Sequence, residues 1–283
     1  MALRWRRSSW WNARHNVHED AVRTAQKARR FALLVEYDGT AYCGSQYQDN
    51  GPSIQQELES AREKLTGARS RVAFAGRTDA GVHALGQVAA FDVETRLGAG
   101  DLTGGLNHFL PRDIAVRETV DAPATFDPRR DARGRTYRYE IDNRQTRSPL
   151  ERQRRWHVDR PLDIEPMARA ARSLEGAHEF AAFAGPYEGL TKRTLRRCEL
   201  TVRGAWITLT MEAEAFLPHQ VRRTAGALVE VGLGRLDAGG FAAMLHAGTA
   251  SQAGPAAPPH GLYLVGVRYD TALFAAHTDG CER

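Results

Sequence analysis

Ala75-Gly76-Arg77-Thr78-Asp79-Ala80-Gly81-Val82-His83-Ala84-Leu85-Gly86-Gln87-Val88 sets one carboxylate, Asp79, in a glycine-bounded loop between two strand-like segments. On its left, residues 71–76 carry Val72 and Phe74. On its right, residues 87–93 alternate Val88, Ala90 and Asp92 against Ala89, Phe91 and Val93, the period of a half-buried strand. The polar run between them is too long for a tight hairpin, and its glycines let backbone approach a ligand closely. In an extended loop Arg77 and Asp79 share a face, so Arg77 can reach the carboxylate or a phosphate. The plain alternative is a local salt bridge in a solvated loop.

Outward from this loop, residues 31–37 read as a strand. After the Asp38-Gly39 turn, Ser53 and Gln56 stand at capping-box spacing ahead of a helix with Ile54, Leu58, Ala61 and Leu65 on one face, ended by Gly67. A short helix within 101–109 and a strand over 114–120 complete a β-α-β-β-α-β order. The second half predicts that order again: a strand over 136–141, a helix over 163–174 with Ile164, Met167, Ala171 and Leu174 inward, strands over 194–202 and 206–212, helices over about 219–231 and 241–246, and a closing strand over 262–269. This is the split β-α-β pattern of ferredoxin-like and RNA-recognition domains. The expected fold class is therefore α+β, with two such modules forming one continuous mixed or antiparallel sheet and helices on one face. A topology repeats here without any repeat of sequence. The expected divisions are a basic tail over 1–29, an N-terminal domain over 30–126 carrying the Asp79 loop, a C-terminal domain over 127–275 and a tail over 276–283. The linker falls near 121–131, where Pro123 and Pro128 interrupt any regular pattern.

With 283 residues, 42% of them hydrophobic, the chain has material for one large globular domain or two small ones. No apolar run approaches the roughly 20 residues that span a bilayer, and the Arg- and Trp-rich start lacks an apolar signal core. Cys43, Cys198 and Cys281 are far apart and form no C-x-x-C pair, which predicts neither a disulfide framework nor a zinc site. A reducing cytoplasm is expected. The net charge of +5 and arginine clusters over 4–7, 129–138, 152–155 and 193–197 point to an anionic partner, nucleic acid before others, although any one cluster alone is an ordinary solvated face. Trp5, Trp10 and Trp11 interleave with arginine in the first tail, a composition suited to stacking on RNA or simply to an unstructured start. Neither GxGxxG, GxxxxGK[ST] nor HExxH occurs, so no cofactor and no metal are expected.

GRTDAGVHALGQV, at 76–88, closely resembles the signature of the tRNA pseudouridine synthase A family. Arg135-Thr136-Tyr137-Arg138-Tyr139 is similar to that family's R-x-Y-R-Y, Phe216 through Arg222 to its F-x-x-x-x-V-R, and Gly261-Leu262-Tyr263-Leu264-Val265 to its GLYLV. The four matches follow the family's order between about 31 and 270. The resemblance implies two similar α+β domains with a cleft between them, a homodimer, and conversion of uridine to pseudouridine at positions 38, 39 and 40 of the tRNA anticodon arm. By position, it assigns Asp79 the role of catalytic nucleophile, Tyr137 that of stacking on the target uracil, and Arg222 that of pairing with the nucleophile across the cleft. Two places depart from the family pattern. Gly44-Ser45-Gln46-Tyr47-Gln48 stands where G-W-Q-x-Q is frequent, and Gln220 where a second histidine is frequent before V-R. These changes touch RNA contact or dimer packing and leave the reaction type alone.

That reaction breaks the N1–C1′ bond, turns the uracil and joins C5 to C1′, with no net oxidation or hydrolysis. A positioned carboxylate suffices as nucleophile or base. An ionised Asp79 has three routes open: attack at C1′, addition to C6 of the base, or removal of the C2′ proton. Each needs a charged carboxylate shielded from water, and since desolvation raises a carboxyl pKa, a nearby cation is required, Arg77 or Arg222. Tyr137 alternates with Arg138 on its strand, so the two side chains face opposite sides. A strand tyrosine is ordinarily core or interface, but this one suits a base flipped out of its helix. Leu262 and Leu264 flank Tyr263, and Leu264 is the expected apolar floor beneath the uracil, with core packing as the alternative. His83, Asn107 and His219 are minor candidates, since lone histidines near a strand end more often cap or pack than catalyse. The competing function is a non-catalytic RNA-binding protein or tRNA folding chaperone working through the same basic cleft.

Overall fold

The computed structural model describes residues 28–245 and 252–274. The tryptophans of the first tail, the whole of the second tail with Cys281, and the expected helix end at His246 lie outside the described residues. Within them the first half runs β1 (Arg29–Tyr37), α1 (Ile54–Thr66), β2 (Ala73–Phe74), β3 (His83–Val93), α2 (Ala99–Phe109) and β4 (Ile114–Ala122). The second half runs β5 (Gly134–Asp142), β6 (Trp156–His157), α3 (Ile164–Arg172), β7 (Gly176–Glu179), β8 (Lys192–Arg203), β9 (Trp206–Ala213), α4 (Gln220–Gly232), α5 (Ala238–Met244) and β10 (Leu262–Arg268). None of these helices is long and apolar enough to cross a membrane.

Local chemistry explains the helix ends. The Gln56 N–H donates to the Ser53 Oγ at 3.3 Å to start α1, and Gly67 closes it in the left-handed region at φ 71, its N–H reaching the Glu63 carbonyl. Asp163 caps α3 in the same way by accepting from the Glu165 N–H. Between the caps, Ile54, Leu58 and Ala61 of α1, Leu102 and Leu106 of α2, and Met167 and Ala171 of α3 turn inward and are buried. They join Phe31, Leu33, Val35 and Tyr37 of β1 and Tyr137, Tyr139 and Ile141 of β5 in one apolar cluster spanning both halves. The other face of the first half is covered more thinly. There Ala32, Val88 and Ala90 meet Phe126, with Tyr269, Leu273 and Phe274 packed against them.

One sheet holds every described strand, in the order β4-β1-β3-β10-β5-β9-β8-β7, with β2 beside β3 and β6 beside β5. The halves meet where β3 and β10 run parallel, pairing Tyr263 with His83 and Leu264 with Ala84. That pairing draws β3 back to His83, four residues before the alternating pattern at Gln87 begins, because partners distant in sequence fix the strand there. Gly86 permits the approach: a Cβ at this position would lie 2.4 Å from the Val265 carbonyl oxygen, well inside contact distance. His83 fills the adjoining space at 3% exposure. The Gly39 N–H donates to its Nδ1 at 3.0 Å, which leaves the ring proton on Nε2, facing the Gln153 carbonyl at 2.9 Å. The ring stacks on Tyr263 with centroids 4.8 Å apart. Burial pushes the His83 pKa below its ordinary value. His83 is thus a neutral joint between the halves.

Two measurements test this junction. Gly86→Ala should cost roughly 1–3 kcal/mol through overpacking against backbone, whereas Gly104→Ala, at an exposed and uncrowded site in α2, should gain up to about 1 kcal/mol; urea midpoints for the two variants should move in opposite directions. The second concerns pH. A histidine held neutral in the fold contributes fully above its unfolded pKa of about 6.5, and below that value the unfolded chain takes up the proton and stability falls. Urea melts at about pH 7.5 and 5.5 should therefore differ less for His83→Gln than for the parent protein, with part of the dependence left to His260, which burial shifts in the same direction.

Candidate active site

The Asp79 loop is a tied structure. Residues 79–82 form a β-turn closed by the Val82 N–H on the Asp79 carbonyl at 3.1 Å, and its third residue, Gly81, sits at φ 76, where side chains other than glycine are strained. Ser45 holds the preceding residue from both sides, its N–H donating to the Thr78 carbonyl at 3.0 Å and its Oγ accepting the Thr78 N–H at 2.9 Å. The Thr78 hydroxyl pairs with the Tyr37 phenol at 2.8 Å. Burial raises the Tyr37 pKa to about 12, so it keeps its proton. Gln87, fully buried on β3, clamps the start of the loop with its Nε2 on the Gly76 carbonyl at 2.8 Å and its Oε1 facing the Gly76 N–H. Ser45, in the segment that departs from G-W-Q-x-Q, is therefore a support of the loop.

The second half supplies the facing wall. Arg222, in the first turn of α4, places Nη1 2.9 Å from the Asp79 Oδ2, joining residues 143 apart in sequence. Its Nε donates to the Ala257 carbonyl at 2.8 Å, and the Ala257 N–H returns to the Arg222 carbonyl, so the guanidinium is aimed by backbone on two sides. Arg77 is exposed on the rim of the same cleft. Among the described residues no ion pair joins it to Asp79, whose Oδ2 is engaged by Arg222 instead. The carboxylate is also more open than the chemistry predicts, with 39% of its side-chain surface accessible. Its Oδ2 is engaged, and no hydrogen bond reaches Oδ1 among the described residues.

A cleft of about 650 Å³ lies over this pair, walled by Arg77, Asp79, Tyr137, Phe216, Arg222 and Leu262 among others. Tyr137 is 9% exposed, its ring set edge-on to Phe216 with centroids 5.1 Å apart. Burial raises its phenol pKa well above the usual range. Arg138, the next residue on β5, faces the other side of the sheet and pairs there with Glu140 at 2.7 Å. Leu262 reaches the cleft wall, while Leu264 is fully buried beside Tyr137 under the loop. Gln220, in place of the second histidine, is buried and accepts the Leu217 N–H at 2.8 Å, bracing the start of α4. Asn107 exchanges two hydrogen bonds with Val116 and fastens α2 to β4, remote from the cleft. His219 does not pack away. Its Nε2 stands 3.6 Å from the Asp79 Oδ2 with 38% of the side chain exposed, and the signal that could have found it was its place inside F-x-x-x-x-V-R, three residues before Arg222. No cluster of His, Cys, Asp and Glu able to hold a metal occurs among the described residues.

Known proteins resemble this chain over most of its length. The profile of a family described as tRNA pseudouridine synthase matches residues 33–129 and 170–270, which include the Asp79 loop and α4 with Arg222. A tRNA pseudouridine synthase A of Myxococcus xanthus is 49% identical over 244 residues, covering 85% of this chain and 92% of its own. Those of Roseiflexus castenholzii and Geotalea daltonii are 47% and 43% identical, covering 85% of this chain and 91% and 100% of their own. With the profile covering well over half its length, the chain belongs to the tRNA pseudouridine synthase family.

Proposed function

We propose that the protein isomerises uridine to pseudouridine in the anticodon arm of tRNA, at positions 38, 39 and 40, with Asp79 as nucleophile. The observation that carries this reading is the 2.9 Å contact of Asp79 with Arg222 on the wall of one cleft with Tyr137. A space of about 650 Å³ accommodates a nucleoside flipped out of its helix. Arg222 neutralises one carboxylate oxygen and leaves Oδ1 for the sugar or base. Tyr137 offers its ring for stacking, and its retained proton suits a platform better than a base. Arg77 at the rim meets a phosphate of the incoming strand. Leu262 serves as the apolar contact from the wall, and Leu264 holds Tyr137 from beneath. RNA laid over the cleft supplies the shielding that the open carboxylate lacks.

In this reading the two halves, 30–126 and 127–275, are ferredoxin-like modules joined edge to edge. Their strand orders, β4-β1-β3-β2 and β10-β5-β9-β8, follow one scheme. A homodimer is the proposed working assembly, and no step requires a metal or organic cofactor.

Incubation with tRNA tritiated at uracil C5 tests the reaction, because the new C5–C1′ bond must expel that label. Asp79→Asn should release none while still binding tRNA, and Arg222→Ala should lower kcat about 10²-fold, the usual cost of one removed charge-stabilising donor. Tyr137→Phe should stay close to the parent rate, whereas Tyr137→Ala should lose about 5- to 150-fold, the worth of one base–aromatic stack. Absence of release from any tRNA, with binding intact, would replace the isomerase by an RNA-binding chaperone.

A further inference from the structure

We propose that His219 carries the proton of the reaction, taking it from C5 once the C5–C1′ bond has formed and returning it to N1; this rests on the isomerase reading above. Joining C5 to C1′ leaves C5 tetrahedral, bearing both ribose and hydrogen, with a double bond between C6 and N1. Restoring the ring requires a tautomerisation. The C5–H pair makes the C5–C6 double bond, the C6–N1 pair moves onto N1, and N1 takes up one proton, so a single group that accepts and then delivers balances the step.

Elimination within the cleft leads to the imidazole. Arg77, Arg129, Arg135 and Arg222 are its arginines, permanently protonated and unable to accept. Tyr137 and Tyr187 are its phenols, a class of group that holds its proton at neutrality and is a poor base there. Burial binds the proton of Tyr137 more firmly still. Asp79 is engaged through Oδ2 by Arg222 and is itself the group assigned to the substrate. His219 is the histidine on that wall, and histidine is the side chain whose ordinary titration falls near neutral pH.

The backbone supports the same assignment. His219 is the non-glycine residue with positive φ among the described residues, at φ 61, a conformation that costs energy and gathers at functional positions. It stands at the N-cap of α4, yet its side chain makes no capping hydrogen bond. The ring is turned instead toward Asp79, with Nε2 3.6 Å from Oδ2. Gly185 makes room for it: a Cβ there would lie 2.8 Å from the His219 Nδ1, and the Gly185 N–H fixes that loop on the Pro218 carbonyl at 2.9 Å.

The test uses the full-length protein and tRNA carrying hydrogen, deuterium or tritium at uracil C5. His219→Asn and His219→Gly both tolerate a left-handed backbone, which separates ring chemistry from strain. Both should lower kcat by about 10²-fold or more with KM changed by less than about threefold. In both, the C5 deuterium isotope effect on release should rise above that of the parent protein, since proton removal becomes the slow step. The parent rate should climb with pH along an acidic limb that both variants lose, and added imidazole should partly restore His219→Gly. Variants within about threefold of the parent rate, or slow variants with an unchanged isotope effect and no response to imidazole, would overturn the proposal. A parent protein that releases no tritium would instead overturn the isomerase reading beneath it.

Discussion

The 2.9 Å contact between the Asp79 carboxylate and the Arg222 guanidinium is the constraint on which the site depends. It is a weak fastener. With 39% of the Asp79 side chain open to water, its worth in stability stays within about 1 kcal/mol. The fold therefore makes the pair, and the pair does not hold the fold. Asp79 is fixed by Ser45, Gln87 and the Gly81 turn, Arg222 by the Ala257 backbone, and the two come together because β10 returns from the second half to lie along β3. A site assembled in this way is preorganised by backbone, the condition under which electrostatic stabilisation requires no rearrangement when charge develops.

The arginine clusters look different in three dimensions than in sequence. Runs of arginine over 129–138 and 193–197 suggest a broad cationic footprint for an anionic partner. Much of that charge is answered internally, Arg130 by Asp127, Arg133 by Asp270, Arg138 by Glu140 and Arg196 by Glu214. Arg135 is committed to structure as well, its guanidinium bonding the Ala75 and Glu214 carbonyls and so spanning from the Asp79 loop to the strand end beside Phe216. Positive charge at the cleft is thus more local than composition suggests, and among the described residues Arg77 stands at the rim without such an ion-pair partner.

Features governed by near neighbours are legible in the sequence itself. The caps of α1, its apolar face, the alternation of β1 and β3 and the opposed faces of Tyr137 and Arg138 all follow from spacing, because a helix or strand repeats every few residues. Features governed by distant partners are not. β6 and β7, of two and four residues, are too short to carry a period and exist because β5 and β8 offer them edges. Alternation puts Leu262 and Leu264 on one side of β10 but says nothing of depth, and only the packed structure separates the wall residue from the buried one. The choice between Arg77 and Arg222 is likewise closed to local reasoning, since a remote helix decides what Asp79 meets. His219, a solitary histidine in sequence, has a meaning only beside the loop it faces.

The two-residue parallel contact between β3 and β10 also bears on how the molecule bends. Two backbone pairs are a short line of rotation, and any turn of one lobe about it would also have to shear the apolar cluster that spans both halves. The Asp79 loop leads straight into that seam at His83, so its carboxylate sits where such a turn would displace atoms least.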